Sequence, residues 1–238
     1  MMELLPETNE ILKKVQDLTN KDFDYVFNPK LNVLGKVKIA RQKMDHHIIY
    51  YRENNSRQLN HIIAHECGHI IRIFESDPSY RVIPYTNSTN YELALKDMKA
   101  DIEKISKLLP KSKVDGLIQM LFNGLISQVT NLPVDLKIEE WIYKDYPGLR
   151  EFQFITLEKQ MDDAIAGIDK KIESIIPSKI YNSSHIMNYA YFTILTQITG
   201  YKYIKNFKGH SFELKANKLI EIFERYDTKI NLYGEGTN

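Results

Sequence analysis

Ser56-Arg-Gln-Leu-Asn-His61-Ile-Ile-Ala-His65-Glu66-Cys67-Gly68-His69-Ile-Ile-Arg72-Ile-Phe-Glu75 is the stretch from which the rest of the chain can be read. At about 100° per residue, Ile63, Cys67, Ile70, Ile71 and Phe74 share one side of a helix. His61, His65, His69 and Arg72 share the other, with Glu66 at the flank of that row. Ser56 suits the N-cap and Asp77-Pro78 the stop. Such a helix buries an apolar back and presents an ordered row of polar groups in front. His65 and His69 are four residues apart, so they lie on one face and can share a metal ion. Glu66, beside the first, can hold the water that the ion activates. The reaction class implied is attack of water on a polarised carbonyl. His61 continues the series, but three residues across eight positions span about 12 Å of helix. A zinc–nitrogen bond is about 2 Å, so one ion cannot take all three histidines. His61 is expected at the rim of the site or beside the substrate. Arg72 is either a partner for a carboxylate behind the metal or a solvated charge at the helix end.

A catalytic zinc site takes three protein ligands and leaves a position for water. The third ligand is sought in Asn131-Leu-Pro-Val-Asp135-Leu-Lys-Ile-Glu139-Glu140-Trp-Ile-Tyr-Lys-Asp-Tyr-Pro147. Pro133 suits the first turn of a helix and Pro147 follows its end. Asp135 and Glu139 share a face with Ile138, Ile142 and Tyr146, whereas Glu140 falls with Lys137 and Lys144 on a solvated side. Two carboxylates on an apolar face are costly unless paired or bound to metal. Glu139 is the favoured ligand, with Asp135 orienting a histidine from behind; the reverse assignment stays open.

His65-Glu66-Cys67-Gly68-His69, followed some seventy residues later by an acidic helix, resembles the zincin metallopeptidases. Within them it is most similar to the gluzincins, including the small ImmA/IrrE-type peptidases with their HExGH. The resemblance implies a peptidase with one zinc ion, Glu66 as general base and a peptide or protein substrate. It covers the region from about Gly35 to Glu75 and the Asp135–Glu139 helix. The acid order, Asp before Glu, is the reverse of the usual gluzincin one. No Gly-x-x-His continuation is present, so the chain does not resemble the metzincins. Manganese or cobalt would fit the same ligand types.

The chain has 238 residues, a formal net charge of +1 and one cysteine, Cys67. Nothing in that balance calls for nucleic acid or an anionic membrane. The lone cysteine, the absence of a leader and the absence of a long apolar run point to a cytoplasmic protein. The expected fold is α+β and mostly helical, with about three strands in an antiparallel or mixed sheet on the motif helix. A helix over Pro6–Thr19 buries Ile11, Leu12, Val15 and Leu18. Strands are expected at 24–27, 36–41 and 47–52, the last two joined by a hairpin at 42–46, and an extended peptide could add to the sheet edge. Prolines punctuate the remainder into helices near 91–108, 113–130, 133–146, 149–174, 183–199 and 211–225. A metallopeptidase core over 1–146 and a helical subdomain over 147–238 follow. The segment 77–90, which holds Tyr80, Arg81 and Tyr85, reads as a lid or cleft wall in which one tyrosine, Tyr85 first, could stabilise an oxyanion; His185 and Tyr189, four apart on a late helix, form a second such candidate. The rival function is a zinc-bearing regulatory protein that docks partners on a peptidase scaffold with little turnover. A helical protein carrying a chance motif is the third reading.

Overall fold

The computed structural model describes residues 4–31, 35–41, 43–52, 58–77, 86–203 and 212–227. Helix α1 (Pro6–Thr19) starts with Pro6 in its first turn, where a missing N–H costs nothing, and ends on Asn20 in the left-handed conformation. Its stripe is buried at Ile11, Leu12 and Val15, while Leu18 is 37% exposed. Three strands follow, β1 (Asp22–Phe27), β2 (Gly35–Lys38) and β3 (His46–Tyr51), in the order β1-β3-β2. β1 runs parallel to β3, with Asp22 opposite His46 and Phe27 opposite Tyr51. β2 runs antiparallel to β3, with Gly35 opposite Tyr51 and Lys38 opposite Ile48. The sheet is thus mixed, and the fold is mostly helical α+β as expected.

His47, in the middle strand and wholly buried, ties this layer together. Its Nδ1 accepts the Ala40 N–H at 3.0 Å, and its Nε2 lies 3.1 Å from the Thr19 hydroxyl. Thr19 already donates to the Val15 carbonyl, so the imidazole must donate to Thr19. Helix α2 (Gln58–Glu75) packs against α1 through Asn60, whose side-chain oxygen accepts the Leu5 N–H at 2.8 Å and the Thr8 hydroxyl at 3.0 Å. A Cβ on Gly35 would stand 2.8 Å from Ile62, so β2 reaches α2 only because that residue is glycine. Ser56, the expected N-cap, lies outside the described residues.

Beyond α2 the described chain is helical: α3 (Ser88–Asp97), α4 (Lys99–Ile105), α5 (Lys111–Asp145), a 3₁₀ turn (Pro147–Leu149), α6 (Arg150–Ala166), α7 (Lys170–Ile175), α8 (Ser178–Thr199) and α9 (Glu213–Asp227). Pro133 does not open a helix, as its position suggested, but sits inside the 35-residue α5. The carbonyl it deprives of a donor belongs to Val129, which is 51% exposed, so water can replace the missing bond. The expected helix 149–174 is divided, because Asp169 caps α7 by accepting the Lys171 and Ile172 N–H groups. Helix α8 closes at Gly200.

By its internal contacts the chain forms two units, with the described residues of one drawn from 1–82 and 137–159 and those of the other from 83–136 and 160–228. That division differs from one at residue 146, because α5 and α6 each contribute to both units. The first unit holds the sheet, α1, α2 and the last turns of α5. The second has a core of Met98, Ile105, Val114, Ile118 and Ile180, with Leu121, Leu125 and Ile176 packed on it. No helix among the described residues is long and apolar enough to cross a membrane.

Candidate metal centre

Gly68, inside the histidine motif, sets the approach of two helices. A Cβ there would lie 2.6 Å from Cγ2 of Ile138, so the end of α5 rests directly on α2. The next residue, Glu139, is thereby delivered to the histidine row. Its carboxylate, 1% exposed, meets His65 Nδ1 at 2.7 Å through Oε1 and His61 Nε2 at 2.9 Å through Oε2. From α6, the amide of Gln153 donates to Oε2 at 2.6 Å and to the Glu139 carbonyl at 2.9 Å. Burial pushes the Glu139 pKa up, but the His61 and His65 donors outweigh it and hold the carboxyl well below its usual range. Glu139 is therefore an anion whose two oxygens are both engaged.

The consequence falls on His65. With Nδ1–H given to Glu139, the lone pair of the neutral ring is on Nε2, and that atom lies 3.3 Å from Nε2 of His69. Two nitrogens bound to one zinc at about 2.0–2.1 Å with tetrahedral angles are about 3.3–3.4 Å apart. The spacing of the two rings thus fits a shared ion. Within this unit His61, His65 and Glu139 form a group that could hold a metal, with ligand atoms within 4.8 Å of one another. There His61 Nε2 and His65 Nδ1 already serve as partners of the carboxylate. At the opposite nitrogen of the His65 ring, the Nε2 atoms of His65 and His69 face each other. Asp135 stands one turn before Glu139 on the same continuous helix.

Glu66 is half-buried, and its Oε2 accepts the Val37 N–H of β2 at 3.2 Å. Cys67 is fully buried, and burial pushes its thiol pKa far up, so it belongs to the packing and not to the chemistry. Glu140 is bound by Lys137 at 3.1 Å and Lys144 at 2.6 Å on the outer side of α5, where the sequence placed it.

His65, Glu66, His69 and Glu139 are thus gathered in one unit. His61 is not at a rim: it is 1% exposed, because Glu139 covers that end of the histidine row. Arg72 is half-buried and forms no ion pair among the described residues. Tyr85, with Tyr80 and Arg81, lies outside the described residues. His185 and Tyr189 belong to α8 in the second unit. His185 is packed between Tyr181 and Phe212, with ring centroids at 4.4 and 5.7 Å, and borders a cavity of about 390 Å³. The Tyr189 hydroxyl donates to Glu213 at 3.0 Å. Sequence reasoning missed Gln153 and the Val37 amide. A fully buried glutamine on α6 carries no spacing signal, and a backbone donor carries no residue signal at all. Compared with protein-family models, with curated proteins and with solved structures, the chain matches none.

Proposed function

We propose that the protein is a zinc-dependent hydrolase, a peptidase that cleaves peptide bonds with water. The observation that carries this reading is the pair of Nε2 atoms of His65 and His69 at 3.3 Å, with the far nitrogen of His65 held by a buried carboxylate. In this reading His65 and His69 are ligands, and Glu139 exchanges the favoured ligand role for that of orienting His65. A carboxylate on the far side of a ligating imidazole fixes its tautomer and raises its basicity. Two imidazoles facing one point suit zinc. When bound, the ion would lower the pKa of a water toward ~7 and polarise the substrate carbonyl.

The chain's own residues supply the proton handling. Glu66 takes a proton from the attacking water as its oxygen bonds to the carbonyl carbon. The C–N bond then breaks, and Glu66 returns the proton to the departing amine. The Val37 N–H holds the base where β2 meets α2. Among the described residues β2 pairs only with β3, so its outer edge can receive an extended peptide as an added strand. That arrangement supports a peptide or protein substrate. A reducing, cytoplasmic setting suits the lone buried cysteine.

The test is Glu66→Gln, assayed on fluorescently labelled casein with zinc content measured in the same preparation. Turnover is expected to fall about 10²–10⁴-fold, the usual worth of a general base, with zinc retained. Unchanged turnover with zinc still bound would overturn the mechanism.

A further inference from the structure

We infer that His61 and Gln153 are positioning residues that clamp Glu139 and, through it, set the ring of His65 for metal. The inference rests on the reading above that His65 is a ligand through Nε2. Two elements converge on the carboxylate carried by α5: α2 through His61 and α6 through Gln153. A glutamate side chain held only by His65 could turn about its own bonds and carry the imidazole with it. Two further donors, both to Oε2 and at 2.9 and 2.6 Å, hold that oxygen while His65 holds Oε1, which leaves the carboxylate one arrangement. Gln153 also binds the Glu139 carbonyl, so it fixes the backbone and the side chain of the same residue together.

The cost of the clamp shows that it serves Glu139 and not the core in general. His61 Nδ1 and Gln153 Oε1 are buried and have no hydrogen-bond partner among the described residues. Buried polar atoms are ordinarily paired, and leaving one unpaired is unfavourable. Apolar side chains at both positions would avoid that cost. Each of these residues instead carries one donor aimed at Glu139 and one orphaned atom behind it. His61 would thus not be a ligand of an ion held by His65 and His69, because its Nε2 is committed to the carboxylate.

A side chain that only fills space can be told from one that aims a ligand by comparing two polar replacements. Gln at position 61 can put an amide N–H close to where Nε2 stands, whereas Asn is too short to reach. His61→Gln is therefore expected to bind zinc as the wild type does in competition with a chromogenic chelator. His61→Asn and Gln153→Leu are expected to bind it about 10–100-fold more weakly, the usual effect of losing an outer partner. The visible spectrum of the cobalt-substituted protein should shift in His61→Asn and not in His61→Gln. In the metal-free protein the downfield Nδ1–H resonance of His65 should broaden or move in the same two weakened variants. Circular dichroism identifies any variant that does not fold, and the glutamine replacement keeps the comparison open in that event. Wild-type zinc affinity in both His61→Asn and Gln153→Leu, while His65→Ala loses zinc, would overturn the clamp and leave the site reading intact. Zinc binding by the wild type no tighter than by His65→Ala would overturn the site reading itself.

Discussion

His47 accepts a backbone N–H at Nδ1 and donates from Nε2 to Thr19, so its neighbours require the neutral ring. Burial lowers its pKa below 6.5, and the charge of Lys21 lowers it further; the rings of Phe23, tilted, and Phe74, edge-on, lie against it. The unfolded chain therefore takes up this proton first. Its contribution to stability is complete above the unfolded pKa and is lost as the pH falls through that value toward the lower folded one. Urea denaturation should show stability declining from pH 7 to pH 5.5, with a shallower decline in His47→Asn; equal slopes would contradict it. His61, His65 and His69 do different work, set by their partners. The facing of His65 and His69 was legible because four-residue spacing fixes a shared face. Glu139 was separated from Glu140 by the same logic. The burial of His61 was not legible, since a helix face read alone does not reveal what will cover it.

Among the elements, α2 and α5 make the site, and their approach depends on Gly68. Glycine to alanine within a helix ordinarily gains up to about 1 kcal/mol. Here the added methyl would meet Ile138 at 2.6 Å, and overpacking costs about 1–3 kcal/mol. Gly68→Ala is expected to lose about 1–2 kcal/mol in urea denaturation and to weaken zinc binding as Glu139 is displaced. A stabilised variant would show that the helices are not in close contact there. The bounds of α1 were readable to the residue, from Pro6 in the first turn and the spacing of Ile11, Leu12 and Val15. The break expected at Pro133 was not realised, because an exposed turn lets water take the orphaned carbonyl. The strand order β1-β3-β2 was beyond sequence pattern, which shows where strands lie but not which one is central.

At the scale of the molecule, prolines divide the sequence, whereas packing divides the chain by which helices share a core. Hence α5 begins in one unit and ends in the other, and Glu139 lies with α2 although it is distant from it in sequence. The +1 net charge bears on neither the fold nor the site. The central claim, that the facing histidines of α2 hold a zinc ion, is tested most directly by elemental analysis of the purified wild type beside the His65→Ala/His69→Ala double variant. About one zinc per chain in the wild type and none in the folded double variant is expected for a site with these ligands. Equal zinc in both, or none in either after incubation with zinc, would contradict it.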